Sequence, residues 1–370
     1  MASLTVDINP ATLIWAREEL GFKLSEVAEY LKKEQSQVEV WESNGEAVRF
    51  SDLQKLAKLY KRQIAVFFLK DTPIKDKKPK DYRNLGLRSR GLDHDALLVI
   101  RRTKRYLQLY RDNQTQESLN VQYDWLKNFS GSSEAHTKIL RELLDVPMSE
   151  QKKYKNKKFK FWRDRIEQKL NIFTFQFPLE RHVFDGFSYI EDGKPYGITI
   201  NSKITENRKI FTLFHEIAHI IEGHDGICLT AVRASQYQLE SKCNRFAAEF
   251  LMPAEEVERP SNFEGVQNRA DLLGVSKEAY VIRLNDLNLI EEIEFKYYMA
   301  KIAVINRKII EDQKNKNKDG FAPRDVLSKS RRGDKFFDFV VDSYESGRIS
   351  SSVAKDVLEL KLVGLGRDEQ

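Results

Sequence analysis

His215-Glu216-Ile217-Ala218-His219 sets two imidazoles four residues apart, with a carboxylate directly after the first. On an α-helix those two positions lie one turn apart on one face, so both rings can reach a single metal ion. Glu216 is then placed to take a proton from a water at that metal, the arrangement of a zinc hydrolase. The plainer alternative is an ordinary amphipathic helix carrying two polar histidines. The chain has only six histidines in 370 residues, and chance would produce this spacing in roughly one such chain in a hundred.

Two histidines do not complete a zinc site, since catalytic zinc commonly takes three protein ligands and leaves a position for water. Glu222, His224, Asp225 and Glu240 compete for the third place. Glu222 shares the helical face but lies about 10 Å along the axis from His215, too far to share one ion. His224 and Asp225 approximate the pattern His-Glu-x-x-His-x-x-Gly-x-x-His/Asp, yet Gly223 falls one residue late and His224 one residue early. Glu240 opens a second helix, and the 21-residue gap after His219 lets that helix return against the first. Asn244, one turn further, can bond a ligand histidine's free ring nitrogen and fix its tautomer. Phe246, Ala247, Phe250 and Leu251 form an apolar stripe, and Ala247-Ala248 permit close helix contact. A carboxylate at a helix start is also favoured by the helix dipole alone. Glu240 is the favoured third ligand. Cys243, one turn after Glu240, reads as a small buried apolar residue rather than a ligand.

Length predicts two or three domains. A composition of 41% hydrophobic and 32% charged residues is that of a soluble globular protein. No N-terminal signal stretch is seen and no apolar run is long enough to span a membrane. Two cysteines, Cys228 and Cys243, make no disulfide framework, so a reducing, cytoplasmic compartment is expected. The net charge of +6 is unevenly spread. Residues 1–69 carry nine Lys/Arg against ten Asp/Glu, whereas 70–105, 151–169 and 301–335 carry twelve against five, nine against two and eleven against five. Such basic blocks can bind phosphates, but more often they are solvated linkers and helix faces.

The first seventy residues predict short, well-punctuated helices. Asn9-Pro10 starts one that ends at Gly21, Ser25, Ser36 and Ser51 start three more, and Ala65–Leu69 closes the bundle. Residues 70–92 read as a linker, followed by a basic amphipathic helix over 96–111 and further helix over 133–145 and 159–170. Ile172–Phe177, Gly186–Ile190 and Tyr196–Ile200 are strand candidates, with Asp192-Gly193-Lys194-Pro195 as a turn. They predict a small antiparallel sheet leading into the metal-binding helix at about 209–221. Helix dominates from 238 onward.

The run Arg208–His219 followed by Glu240-x-x-Cys243-Asn244-Arg245-Phe246-Ala247-Ala248-Glu249-Phe250-Leu251-Met252-Pro253 resembles the ImmA/IrrE family of metallo-endopeptidases. Ile198–Asn201, Gly186-Phe187-Ser188, Lys80–Arg83, Leu273–Leu284 and Gly347–Leu358 fit the same resemblance, which covers roughly residues 80–365. It implies Zn²⁺ held by His215, His219 and Glu240, Glu216 as the catalytic base, and Asn244 behind a ligand histidine. An oxyanion helper is also implied, with Tyr237, Tyr196, His182 and His224 as candidates. Residues 9–69 resemble an Xre-type helix-turn-helix through Leu13, Ala16-Arg17-Glu18, Gly21, Val27-Ala28, Leu31, Val38, Trp41-Glu42, Leu53 and Leu56-Ala57. That fold lays its third helix in the major groove, so Gln35, Ser36 and Gln37 are the expected DNA contacts. Glu34, Glu39 and Glu42 in or beside that segment weaken the DNA reading.

The expected fold is α+β, mostly α. It comprises a five-helix helix-turn-helix bundle (1–70), a basic linker (71–95), a gluzincin-like, zincin-type peptidase domain with a small antiparallel sheet (96–265), and a helical, winged-helix-like C-terminal region (266–370). The expected function is a zinc endopeptidase that cuts a specific cytosolic protein, repressor-like by the resemblance. Its helix-turn-helix would serve operator DNA or partner docking, and a homodimer is compatible. The alternatives are an antitoxin whose peptidase-like domain binds a toxin, and a plain transcription factor.

Overall fold

The computed structural model describes residues 4–72, 94–113, 123–129, 133–153, 158–180, 184–191, 195–223, 234–314 and 323–360. The expected linker lies almost wholly outside these, as do His182, the turn at 192–194, His224, Asp225 and Cys228. The chain divides into two compact units, Met1–Arg102 and Thr103–Gln370. Among the described residues, no helix is long and apolar enough to cross a membrane.

The first unit contains β1 (Thr5–Val6), α1 (Pro10–Glu19), α2 (Leu24–Leu31), α3 (Gln35–Asn44), β2 (Val48–Arg49), α4 (Phe50–Leu59) and a 3-10 helix (Ile64–Phe68). Leu13, Val27, Val38, Leu53 and Leu56 form its sealed core. Four α-helices and a 3-10 turn thus stand where five helices were expected. An antiparallel pairing of Val6 with Val48 ties the N-terminal segment to the start of α4. The Asn9 side chain caps α1, accepting from the Ala11 N–H at 3.0 Å, with Pro10 in the first helical position. Gly21 follows with φ of 69°, the left-handed exit that glycine favours. The three helices expected to start at Ser25, Ser36 and Ser51 each begin one residue earlier, and Ser36 is not the cap. Ser25, Ser36 and Ser51 are each the second residue of their helices. At α2 the Glu26 carboxylate turns back to accept from the Lys23 N–H at 2.7 Å, filling the capping role from inside the helix.

α5 (His94–Asp112) begins in the first unit and ends in the second. The second unit continues with α6 (Ser133–Leu144), α7 (Met148–Gln151), α8 (Lys158–Lys169), β3 (Phe173–Phe177), β4 (Gly186–Tyr189), β5 (Gly197–Asn201), α9 (Glu206–Ile221) and α10 (Ala234–Leu251). Six further helices follow: α11 (Phe263–Leu273), α12 (Lys277–Asp286), α13 (Glu292–Lys314), α14 (Arg324–Arg332), α15 (Asp334–Glu345) and α16 (Ser351–Leu358). No strand follows Asn201 among the described residues, so the wing of a winged helix is not among them.

The strands stand in the order β3-β5-β4. β4 and β5 pair antiparallel, but β3 runs parallel to β5, so the sheet is mixed and not antiparallel as expected. Side-chain alternation specifies which face is buried and says nothing of strand direction. Direction follows from the connection, which carries the chain from β3 to the far edge before β5 returns between them. The buried Asn201 holds that connection. Its Oδ1 accepts from the N–H groups of Leu179 (3.1 Å) and Lys203 (3.0 Å), and its Nδ2 donates to the Phe184 carbonyl at 3.3 Å.

Phe173, Phe175 and Phe177 alternate onto one face of the sheet, where Phe175 meets Tyr106 of α5 (5.4 Å between centroids) and Phe336 of α15 (5.3 Å). Ile198, Ile200 and, in register with Ile198, Ser188 occupy the opposite face beneath α9. Gly186 lets β4 pass close under that helix, because a Cβ there would lie 2.6 Å from Thr212 Cγ2 and 3.0 Å from the Thr199 carbonyl.

Between α8 and the α14–α15 corner lies a buried carboxyl, Glu167, which accepts from the Thr174 N–H at 3.1 Å. Gly333, with φ of 81°, turns that corner directly against the carboxyl, where a methyl group would overlap. Burial pushes Glu167 up to about 8, against the opposing pull of Arg163. In the unfolded chain the group ionises near 4.5, so between the two values the folded protein binds the more protons and stability falls as pH rises. Urea midpoints are therefore expected to drop from pH 5.5 to 8 more steeply in the wild type than in Glu167→Gln, which keeps the acceptor for Thr174. Parallel curves would contradict a buried, protonated Glu167.

Candidate metal centre

α9 is driven into the main core by Ile210, Leu213, Phe214, Ile217 and Ile220, which leaves His215, Glu216 and His219 buried among apolar neighbours. α10 lies alongside. Phe214, the residue before His215, stacks on Phe250 with centroids 4.1 Å apart, and Trp162 of α8 meets both rings edge-on at 4.9 and 5.5 Å. The carbonyls that α10 leaves unbonded at its end are met by side chains. Arg141 donates to the Phe250 carbonyl, Gln151 to that of Leu251 at 2.9 Å and Arg283 to that of Met252 at 3.1 Å. Both the lateral position and the end of α10 are thereby specified.

The consequence is that Glu240 faces the histidine pair. Its Oε2 lies 3.2 Å from His215 Nε2 and its Oε1 3.4 Å from His219 Nε2, while the two Nε2 atoms are 3.1 Å apart. Donors on a tetrahedral zinc with bonds of 2.0–2.1 Å stand about 3.3 Å from one another. The triangle of ligand atoms fits that geometry. Among the described residues, His215, His219 and Glu240 are the one His/Cys/Asp/Glu group that could hold a metal ion. Asn244 Oδ1 lies 2.9 Å from His215 Nδ1. An amide oxygen only accepts, so the ring donates from Nδ1 and keeps its Nε2 lone pair for the metal position.

Glu216 is fully buried, and among the described residues neither carboxylate oxygen completes a hydrogen bond. Burial raises its pKa, opposed by His219 and His215. The Ser188 hydroxyl of β4 is near enough to favour the ionised form, but it completes no hydrogen bond to the carboxylate. Leaving a buried carboxylate unbonded is costly, and a polar occupant beside the ligand triangle relieves that cost. The donor set and the unused carboxylate together fit a catalytic metal and its water. Cys243 is fully buried, and burial pushes its thiol up, opposed by the nearby His219.

The rival third ligand Glu222 is held in an ion pair with Lys242 at 2.6 Å. Tyr196 stacks on Tyr123 at 3.7 Å and donates its N–H to the Tyr123 hydroxyl at 2.7 Å, which engages it in packing. The Tyr237 side chain lies outside the described residues. Gln35, Ser36 and Gln37 are exposed at the start of α3, in the first unit. In the sequence Ser188 was legible only as part of a resemblance, and the nearness of Cys243 to His219 was not foreseen. No spacing rule links a strand residue to a helix that follows it by twenty positions or more.

Residues 167–285, about a third of the chain, match the peptidase M78 family model, described as the IrrE N-terminal-like domain. That stretch contains His215, Glu216, His219, Glu240 and Asn244, and the match supports the resemblance to the ImmA/IrrE family there. The residues around the cluster are thus similar to a metallopeptidase domain of a typically zinc-dependent family. No curated protein matches the chain.

Removing the aromatic clamp tests its part in the site. Phe250→Ala is expected to cost about 3–5 kcal/mol in urea unfolding and to weaken zinc uptake, because the stacked partner of Phe214 is lost. A cost below about 1 kcal/mol, with zinc uptake unchanged, would contradict it.

Proposed function

We propose that the chain is a zinc-dependent endopeptidase acting on a specific protein substrate, with its first unit serving as a docking module. The observation that carries this reading is the triangle of His215, His219 and Glu240 beside a buried carboxylate with both oxygens unused. Those three residues would hold the ion. Zinc bound there supplies Lewis-acid polarisation of a peptide carbonyl and acidifies water. His215 keeps its Nε2 directed inward because Asn244 holds Nδ1, and Glu240 offers one oxygen to each histidine. Glu216 takes the proton of the attacking water and returns it to the departing amine. Its apolar surroundings make the carboxylate a stronger base than it is in water.

The first unit supports a helix-turn-helix reading through the order of α2 and α3 and their shared core. Its surface favours a protein partner over DNA. α3 exposes Ser36, Gln37, Glu39, Val40 and Ser43, and the Gln35 amide is engaged by Glu39 at 2.7 Å. Of the nearby cations, Lys33 pairs with Asp52 at 3.1 Å and Arg62 with Glu19. Phosphate binding needs cations free to replace counterions. A repressor-like substrate docked through this unit is consistent with these features. The same surface supports the second reading, an antitoxin that holds a toxin through protein contacts.

Glu216→Gln is expected to retain zinc while lowering cleavage of a co-purified partner, followed by mass spectrometry, by at least a factor of about 100. Retention of cleavage would sink the enzyme reading, and partner neutralisation that survives undiminished would favour the antitoxin reading. Binding of the first unit to duplex DNA is expected to show a shallow dependence on salt, whereas a steep log–log slope would reverse the preference for a protein partner.

A further inference from the structure

α13 (Glu292–Lys314) carries apolar residues on two opposite faces. Tyr298 and Ile302 belong to the main core, with Phe295 and Met299 packed against it. On the far side Ile293, Tyr297 and Val304 are 82%, 52% and 65% exposed, and Ala300 among them is exposed as well. Successive members of this stripe are 4, 3 and 4 residues apart, the heptad spacing of a coiled-coil seam. Ile293 and Ala300 then take d positions, and Tyr297 and Val304 take a positions. Single exposed apolar side chains are ordinary, but an outer stripe of four at seam spacing marks an interaction surface.

We infer that this stripe is the contact between two copies of the chain, with their α13 helices packed antiparallel about a two-fold axis. An axis crossing α13 at the level of Tyr298 and Met299 sets Ile293 opposite the partner's Val304 and Tyr297 opposite the partner's Ala300, each pair formed twice. Reversing one helix brings a positions opposite d positions, so every layer of the seam is filled. The large Tyr297 ring then meets the smallest side chain of the stripe. The flanking charges favour the same arrangement. Glu294 and Lys301 both occupy e positions, which face each other across an antiparallel seam, so each copy's Glu294 meets the partner's Lys301. A parallel pair would instead set Lys296, in a g position, beside the partner's Lys301, with like charges repelling. Arg307, the next residue of the seam, comes near the level of the acidic helix start at the partner's Glu291 and Glu292. Glu294 is held at the surface by Arg259 at 2.9 Å, and the Lys301 ammonium stands 4.7 Å from the centre of the Tyr297 ring, at the edge of the stripe. Four layers of side chains make a small interface, so the dimer forms and dissociates at micromolar concentrations. The inference does not depend on the metal-site reading, and α13 lies outside residues 167–285.

The test is sedimentation equilibrium of the full chain over about 2 to 200 µM, the range in which a small interface exchanges. The wild type is compared with Val304→Glu, Glu294→Lys, Lys301→Glu and the double variant Glu294→Lys/Lys301→Glu, with the urea midpoint of each as a control for folding. The wild type is expected to pass from monomer to dimer across that range. Val304→Glu puts a carboxylate into an apolar layer twice per dimer and is expected to weaken association by more than about a hundred-fold, with an unchanged urea midpoint in dilute solution. Each single charge reversal is expected to weaken association about ten-fold, and the double variant to recover most of that loss. Residues 294 and 301 lie about 10 Å apart along one helix, so the recovery can arise only between copies. A wild type that stays monomeric overturns the inference and assigns the stripe to a different protein, or to the chain's own residues if Val304→Glu then lowers the urea midpoint. A dimer indifferent to Val304→Glu overturns it by placing the contact elsewhere. Tighter association of Lys301→Glu overturns the antiparallel arrangement, because only a parallel pair would be relieved of repulsion from Lys296. Loss in both single variants without recovery in the double variant overturns the pairing of Glu294 with the partner's Lys301.

Discussion

The stack of Phe214 on Phe250, gripped edge-on by Trp162, is the contact on which the site depends. A helix carrying two histidines can offer two ligands, but the third must come from another element and arrive within a few tenths of an ångström. Close-packed aromatic rings allow little sliding. With Phe214 fixed against Phe250, the residues one turn or more away on each helix have a set relation, and Glu240 falls opposite Nε2 of both histidines. Arg141, Gln151 and Arg283 then tie down the end of α10 by its carbonyls. Metal geometry is thus built from apolar packing and backbone hydrogen bonds that lie outside the ligand set.

The same packing creates the electrostatic tension at the centre. Glu216 is carried into the apolar interior by the helix that positions the histidines, and it has no freedom to turn toward solvent. Its ionised form is disfavoured by burial and sustained by the imidazoles. At a second buried carboxyl, Glu167, burial outweighs the pull of Arg163 and Lys335 and pushes the group up to about 8. The two buried glutamates therefore have different work: one stands beside the ligand triangle, and the other closes the corner at Gly333.

Much of the site was legible in the sequence because helices translate spacing into geometry. His215 and His219 at four residues, and Glu240 with Asn244 at four residues, are each read directly from one helix. The return of α10 against α9 was legible from the apolar stripe at Phe246, Ala247, Phe250 and Leu251. The parallel run of β3 was not, because Phe173, Phe175 and Phe177 alternate identically whichever way their neighbour runs. The helix starts at Ser25, Ser36 and Ser51 were legible to within one residue, because serine is equally comfortable in a first helical turn, and at α2 the backbone N–H is met by Glu26. Ser188 comes near Glu216, and Cys243 near His219, only through packing between separate elements, and that information has no fixed spacing along a chain.

The central claim is that His215, His219 and Glu240 hold one zinc ion, with the Cys243 sulfur outside the coordination. X-ray absorption at the zinc edge of the zinc-loaded full chain tests this most directly. The account predicts one zinc per chain, with a first coordination sphere of nitrogen and oxygen only at about 2.0–2.2 Å and the scattering pattern of two imidazoles. A sulfur at about 2.3 Å, a single imidazole, or no stoichiometric zinc would contradict it.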